Sequence, residues 1–563
     1  ITKSLNFNNP LNTGFISVQN ACPSNNGLGQ IMVGDFTGGT DIYPSQQWHD
    51  YDIYVLDTNQ MIVWSHPVHQ GSGSRWNTGL QAGEYYIQLT DGSGCSVYDT
   101  VVIEDLLGSK YYISTTGSDA NTGEYFSPLA TIQEALTRAC DGDTIILFDG
   151  EYFENVDLTS SYLPYVTIAS EYIEDGNDSH INSTIVNGMD EDPVFDISQH
   201  GSSSDTILFV GFTVTNGKSS NWYGGGGISI NYSNVALKHM RVVGNRSGHA
   251  GGGIGMDGGE LNLWNTYIAN NIANYDGGGI KGHYTKRIDG HNSTIIENNK
   301  ANGNGGGISY QHWHWGNTDD FYIKGFEIIN NSSYWRGGGL HIENGGNNNS
   351  DLVLENLLIA NNRSIYNDAG GMFLRNNGEN AIMSNVIISS NKSNGVGGII
   401  IEDVDLSIVH STIYSNGIFD GTTANDQIEL RNNANVLFLN SAVGGQQNIG
   451  ATTAHTFYFN DGDTTCDLTI VNSIVSGGLN SIDNTYNSPI TGTPIGQALY
   501  LVDPGQGDYM LSPVSQGLGA GVSTYSGITM PYIDIEGMAR PNPTGSNPDV
   551  GAVESPLDTA IFG

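Results

Sequence analysis

The sequence predicts an all-β chain whose middle winds as a right-handed parallel β-helix of about a dozen coils. Two recurring phrases and the nature of the segments between them carry that expectation. A glycine phrase, GGGI, stands at 225–228, 251–254, 277–280 and 305–308, and returns as GGGL at 337–340, GGM at 370–372 and GGI at 397–399. Between its copies an aliphatic pair leads to an asparagine, at Asn245, Asn271, Asn299, Asn331, Asn362, Asn391 and Asn416. Both phrases recur at roughly 25 to 32 residues, the period of a solenoid. The intervening runs, such as LNLWNTYIAN and DLVLENLLIA, are strand-like and leave no room for amphipathic helices. Without helical crossovers, strands run parallel only if the chain itself coils. Stacked at ~4.8 Å per coil, the rod would be about 55 to 60 Å long.

Each phrase has a physical reading. Glycine triplets suit corners where successive coils press backbone on backbone and φ turns positive. Asparagine suits a different corner, because it tolerates the left-handed conformation and its amide can bond the amide one coil away. The Ile, Leu, Val and Met beside these corners fill the bore. Over residues 220 to 420 the paired GGGI and I-x-x-N phrases resemble the polymorphic outer-membrane-protein type of repeat within the pectin-lyase-like β-helix superfamily. That resemblance implies the fold; the superfamily holds lyases, hydrolases, tailspikes and non-catalytic adhesins alike.

The flanks follow in order. Residues 1–106 read as a small β-sandwich, with strands GQIMVGDF, DYDIYVLD, MIVWSHPV, GEYYIQLTD and SVYDTVVIED between Gly, Asn, Asp and Ser turns. Its closing phrase, Trp76, Gly79, Leu80, Gly83, Tyr85, Asp91, Gly94 and Cys95, resembles the repeat of bacterial gliding-motility adhesins. In that family an early cysteine, here Cys22, accompanies the late one. The resemblance implies an immunoglobulin-like spacer and export by a gliding-type secretion system. Residues 107–484 form the β-helix. Its opening, YYISTTGSDANTGEYFSPLATIQEALTRACDGDTIILFDGEYFEN, resembles that of many bacterial surface β-helix proteins. Ser127 as N-cap and Pro128 at the first position predict a helix over 128–140, with Leu129, Ile132, Leu136 and Ala139 on one face. Such a helix would plug the open end, where bare strand edges invite polymerisation. Residues 485–563 are Pro- and Gly-rich, and GDYMLSPVSQGLGAG and DIEGMARPNPTGSNPDVGAVE resemble the terminal segment of β-helix proteins with interchangeable C-terminal anchors. They are expected to fold as a lid on the last coil.

Composition excludes some functions. A net charge of −39 argues against nucleic acid as partner, since phosphates would be repelled. Charged residues make up only 14%, so the acidity reflects scarce Lys and Arg as much as abundant carboxylates. No run approaches the ~18 apolar residues of a membrane span. Ile1, without an initiator Met or signal peptide, reads as a processed start. Four cysteines are too few for a disulfide scaffold. Cys22 and Cys95 can pair in the first domain, whereas Cys140 and Cys466 read as buried thiols.

Candidate chemistry is scattered. Asp319 and Asp320, in GNTDDF, superficially resemble the acid pair of pectin-cleaving hydrolases, but adjacent strand residues face opposite ways and the family's G-H-G and R-I-K are missing. Lys286, Arg287 and Asp289, in GHYTKRIDGH, could neutralise a uronate and take its proton in a lyase, or form a local ion-pair cluster. Asp141 and Asp143, the run Asp190 to Asp192, and Asp461, Asp463 and Asp467 could hold Ca²⁺ through hard oxygens, or simply shape turns. His312 and His314 alternate as transition-metal ligands do, without a supporting carboxylate motif.

The aromatic set is the stronger pattern. Trp222, Tyr223, Tyr275, Tyr284, Trp313, Trp315, Tyr334 and Trp335 flank glycine phrases in successive coils, with His249, His283 and His341 nearby. Stacked coils would align them in a band whose flat rings give sugar CH faces apolar contact. The alternative is that they cover the glycine corners. The expectation is an extracellular, non-catalytic adhesin or appendage segment that offers its side to glycans, cell-surface polymers or further copies. A secreted polysaccharide lyase or hydrolase, and a filament subunit, stand as alternatives.

Overall fold

The computed structural model describes residues 2–4, 11–12, 15–22, 28–34, 37–38, 50–69, 75–81, 83–91, 96–103, 109–159, 164–198, 206–312, 320–345, 351–366, 368–377, 380–418, 427–445, 455–460, 466–496, 498–525, 527–557 and 559. Before residue 104 the described strands form two four-stranded antiparallel sheets and a two-stranded one, Leu11–Asn12 with Thr37–Gly38. One holds Thr2–Ser4, Phe15–Cys22, Leu28–Gly34 and Arg75–Gln81; the other holds Asp50–Leu56, Ile62–His69, Gly83–Asp91 and Ser96–Ile103. In the second sheet Ile53, Val55, Ile87, Leu89, Val101 and Ile103 alternate inward, the period of a half-buried strand.

From Lys110–Ile113 onward the chain is a right-handed parallel β-solenoid. A parallel sheet of 12 strands, from Val156–Leu158 to Ile482–Asp483, takes one strand from each coil. A sheet of 23 strands forms the broad second wall, and eight two-residue strands, Lys218–Ser219 to Gly417–Ile418, form a narrow third. The residue that ends each glycine phrase stacks in register: Ile228, Ile254, Ile280, Ile308, Leu340, Met372 and Ile399, all fully buried. One such column fills one side of the bore, and its side chains touch those above and below.

Asparagine holds the coils at that spacing. The Nδ2 of Asn271 donates to Asn299 Oδ1 at 3.0 Å, and the Asn271 backbone amide donates to the same oxygen at 3.0 Å. Its second Nδ2 hydrogen goes to the Val242 carbonyl at 2.9 Å. The pattern repeats through Asn245, Asn271, Asn299, Asn331, Asn362, Asn391 and Asn416. Every member is buried, and from Asn271 onward each carboxamide oxygen accepts two bonds from the member before, while Asn245 Oδ1 accepts the Gly217 amide at 2.9 Å. The column ends at Gln427, which stands only 11 residues after Asn416 and receives its Nδ2 at 3.1 Å. The left-handed conformation expected of these asparagines belongs to the residue before each: Gly244, Asn270, Asn298, Asn330, Asn361, Ser390 and Ser415. That residue reverses the chain, which frees the next side chain to turn inward.

The glycine phrase splits its labour similarly. Gly251, Gly277, Gly305 and Gly337 have φ of 74°, 69°, 64° and 58°. The next glycine is excluded from bearing a side chain by crowding instead, since a Cβ on Gly252 or Gly278 would lie 2.3 or 2.4 Å from the carbonyl oxygen of the following coil.

Two flanking elements differ from expectation. The helix is Ile132–Arg138, capped by Thr131, whose hydroxyl accepts from the Glu134 amide at 3.2 Å. Ser127 and Pro128 do not start it, because Leu129 bridges to Ile113 as a strand residue and Asp119 takes the amides of Ala130 and Thr131 at 2.9 and 3.0 Å. Ile132, Ala135 and Leu136 still enter the core at the first coils. The C-terminal segment first packs on the last coil, where Ile490–Thr491 pairs with Asp467–Val471 and Asn472 donates to the Ala520 carbonyl at 2.9 Å, and then runs back along the flank of the broad wall. Asn385 donates to the Ile533 carbonyl at 2.9 Å, and Ala552 donates to Thr412 Oγ1 at 3.0 Å. Ile387, Tyr509, Ala552 and Val553 share a small core. Arg540 anchors the strap: fully buried, it binds Glu554 at 3.0 Å and His410 at 2.7 Å. No helix among the described residues is long and apolar enough to cross a membrane.

Replacing Asn331 by Ala strips the Asn299 amide and Nδ2 of their acceptor and the Ile296 carbonyl of its donor. The expected loss is on the order of 3 kcal/mol. Asn330→Gly, at the left-handed position with φ 58°, is expected to change stability by less than about 1 kcal/mol. Denaturant midpoints of the two variants check the contrast, and equal losses would contradict it.

Candidate functional site

Between each short third-wall strand and the following glycine phrase the chain makes a loop. These loops stack by backbone bonds: Tyr275 N to His249 O at 2.8 Å, Gly303 N to Tyr275 O at 2.7 Å, and Trp335 N to Gly303 O at 3.1 Å. Side chains at equivalent loop positions therefore line up along the rod. Trp222 and His249 lie 4.1 Å apart, and His249 stacks on Tyr275 at 5.6 Å. Gly303 leaves the next rung without a ring. A second cluster follows, in which Trp335 meets Tyr366 at 4.7 Å and Tyr334 at 5.3 Å. Trp222, Tyr275, Trp335 and Tyr366 are 63, 51, 44 and 49% exposed, so these rings face solvent rather than cover the glycines.

The predicted band is thus present, with changes. Tyr223 and Tyr284 belong to a separate stack around His283, at 3.8 Å each, and His283 bonds Asp257 at 2.9 Å. Trp313, Trp315 and His314 lie outside the described residues, and His312 is buried against Tyr284. Tyr366 was not anticipated, although SIYND precedes its GG phrase as SSYWR precedes GGGL.

Beneath the loops, the outer face of the 12-stranded sheet carries buried charge. Lys281 is 1% exposed and donates to Gln311 Oε1 at 2.7 Å, to Ser309 Oγ at 3.2 Å and to Asp276 at 3.4 Å. Burial pushes its ammonium below the usual range, against the pull of Asp276. For Asp276 burial works upward, but the Lys281 charge wins and holds the carboxyl low. Asp276 follows Tyr275, and its other oxygen accepts the Asn304 amide at 2.8 Å, so this pair ties the aromatic loops to the sheet. His341, one coil beyond Ser309 in register, is wholly buried; desolvation lowers its pKa to about 3. Farther along, Glu343, Arg375, Glu402 and Arg431 occupy successive rungs of one register.

The broad wall holds the other predicted residues. Asp289 is 2% exposed; Arg287, Lys324 and His291 approach its Oδ2 at 3.4, 3.5 and 3.7 Å, while its Oδ1 has no hydrogen-bond partner. Arg287 also lies over the Tyr322 ring at 5.1 Å. The Lys286 amide donates to the Gly259 carbonyl at 3.2 Å. Asp319 lies outside the described residues. Asp320 starts a column not singled out in the sequence: Asp320, Asp351, Asn380, Asp405, Asn435 and Asp467 stand at the start of successive strands in register. They rim a groove of about 600 Å³ floored by Val353, Ile382 and Leu437.

The acid clusters expected to take Ca²⁺ have other partners. Asp141 accepts the Tyr165 amide at 2.8 Å, and Asp143 accepts the amides of Ser109 and Cys140 at 2.8 Å each. Asp190 pairs with Arg246. Asp461 and Asp463 lie outside the described residues, as does Cys95, so the Cys22–Cys95 expectation falls there too. Cys466 and Cys140 are both buried, as expected, but Cys140 is disulfide-bonded rather than a thiol.

Comparison with known structures gives a pectate lyase, Pel9A, at 15% identity and TM-score 0.30 over 80% of this chain and 96% of that one. It also gives XylC in complex with xylose, at 10% identity and TM-score 0.37 over 80% of this chain and 99% of that one. No protein-family model matches the chain, and no curated protein matches its sequence.

The buried imidazole predicts a pH effect. His341 is neutral in the fold down to about pH 3, whereas the unfolded chain takes up this proton near pH 6.5. Stability is therefore lost as pH falls below about 6.5, by on the order of 1 kcal/mol per pH unit from this residue. His341→Phe, which matches the Phe373 ring stacked one coil away, is expected to have a shallower decline between pH 6 and 4 in paired denaturant melts. Parallel curves would refute the assignment.

Proposed function

We propose that this chain is a non-catalytic extracellular binding protein that holds polysaccharide along the loop edge of its β-helix. The observation that carries the reading is the ring series of exposed Trp222, Tyr275, Trp335 and Tyr366 with half-buried His249 among them, set at coil spacing by loop-to-loop backbone bonds. Flat exposed rings offer apolar contact to sugar CH faces, and rings already fixed in place lose little freedom on binding. In this reading the N-terminal module is an immunoglobulin-like spacer, the C-terminal strap prepares attachment, and the short helix closes the rod's first end. Glycans or other cell-surface polymers are the partners, and an acidic chain of this charge leaves nucleic acid aside.

The second reading is cleavage of an acidic polysaccharide, favoured by the Asp289 cluster. There Arg287 and Lys324 would neutralise a uronate carboxylate beside a buried carboxylate with a spare oxygen. This reading makes binding salt-sensitive, whereas ring-to-sugar contact is not.

Trp222→Ala and Trp335→Ala are each expected to weaken polysaccharide binding by about 3- to 10-fold, the worth of one ring contact. Affinity electrophoresis across a panel of neutral and uronate polymers reads this, and unchanged mobility shifts in both variants defeat the reading. Assays for new reducing ends and unsaturated uronates on the same panel are expected to stay blank. Turnover abolished by Arg287→Ala would establish the second reading in place of the first.

A further inference from the structure

Away from both the ring series and the Asp289 cluster, the first coils carry a mixed set of donors. Strand Thr144–Leu147 pairs with Thr167–Ser170 in register, so the residues just beyond them, Asp149 and Glu171, leave adjacent coils side by side. After Glu171 the chain makes an excursion through Tyr172–Asp175 and Ser179–Ser183, which returns His180 to the same place. One donor atom each from Asp149, Glu171 and His180 lie within 4.8 Å of one another.

We propose that Asp149, Glu171 and His180 bind a divalent transition-metal ion, with Zn²⁺ the best match to this donor set. An imidazole nitrogen with two carboxylates is a zinc-type combination, whereas Ca²⁺ and Mg²⁺ take oxygen ligands. The surroundings are arranged as an outer shell. His180 turns Nδ1 toward Asp149, at 2.7 Å, and its far nitrogen Nε2 lies 3.3 Å from Asp175 Oδ2. Nδ1 donates to Asp149, and an incoming ion displaces that proton, while the Asp175 carboxylate keeps a proton on Nε2 and so orients the ring. The Asp149 carboxylate is itself steadied by Ser183 Oγ at 2.7 Å and Thr184 Oγ1 at 3.2 Å. His180 is only 13% exposed in its side chain, and Asp149 is 45% exposed, so the ion enters from the Asp149 side. The ion replaces the direct His180–Asp149 contact and pins the 172–183 excursion to the first coils.

The test uses the whole chain, stripped with a chelator and then titrated with Zn²⁺ against a chromophoric competitor, with elemental analysis for stoichiometry. One equivalent is expected, with Ca²⁺ in excess unable to displace it. His180→Gln is expected to weaken binding by more than about 100-fold, and Asp175→Asn, which keeps all three ligands, by about 10-fold. Zn²⁺ is also expected to raise the melting temperature of the parent and not of His180→Gln. Absence of binding, displacement by Ca²⁺, or full-affinity binding by a correctly folded His180→Gln variant overturns the proposal. Should His180→Gln fail to fold, an unchanged affinity in Asp175→Asn does so instead.

Discussion

The asparagine column sets the register on which every other feature of the rod depends. From Asn271 onward each carboxamide accepts the amide and Nδ2 of the preceding member and spends its second N–H on a carbonyl of the coil before, so none of its capacity is left over. A slip of one residue between coils would leave several buried polar groups unpaired at once, each costing about 1 to 3 kcal/mol. Registration this strict converts a repeat in sequence into a stripe in space. The aliphatic column from Ile228 to Ile399, the ring series and the acid–amide rim of the groove are all such stripes.

Buried charge plays a different part. Taking an ion out of water costs several kcal/mol, and Lys281 offsets that with Gln311, Ser309 and Asp276 rather than with packing. The gain is positional. Asp276 belongs to the loop that carries Tyr275, while Lys281 belongs to the sheet, so the ion pair fixes the height and direction of an exposed ring. The Arg336 guanidinium plays a related role two loops on, between the Phe373 ring at 4.6 Å and Asp368 at 3.4 Å. Rings held this way meet a ligand with most of their ordering already done.

The fold was legible because its causes are periodic. The seven asparagines and the residues closing the glycine phrases could be placed in columns from spacing alone, and the coordinates align them so. What spacing could not show was which of two neighbouring residues reverses the chain. In ENN, INN and ANN either asparagine could take positive φ, and the choice fell on the first because the second is needed inside. The helix start was missed for a tertiary reason, since Asp119 captures the amides that Pro128 was expected to place in the first turn. Gln427 ends the amide column off the period, so no repeat could announce it. The acid–amide rim was visible in DLVLEN, NAIMSN, DLSIVH, NVLFLN and DLTIVN, but its alternation of Asp with Asn hid it among turn residues. Asp141 and Asp143 could be read as cation ligands or as turn residues, because a carboxylate that binds backbone amides has the same sequence signature as one that binds calcium; here both accept backbone amides.

If the edge holds polysaccharide as proposed, the missing ring at Gly303 bears on which ligands fit. Rungs stack at ~4.8 Å, so the step from Tyr275 to Trp335 spans about 10 Å and the whole series from Trp222 to Tyr366 about 24 Å. A single sugar reaches one cluster only. An extended polymer lying parallel to the rod reaches both, and the second contact is then intramolecular, with an effective concentration set by the chain between them. On the proposed polysaccharide reading, weak rings in two groups would select for length: short oligosaccharides would gain one platform, long ones two, and the bare rung would leave room for a substituent on the residue that passes between. A rigid scaffold is what makes this discrimination physical, because a flexible loop could close the gap around a short ligand, whereas loops bonded to each other and to Lys281 cannot.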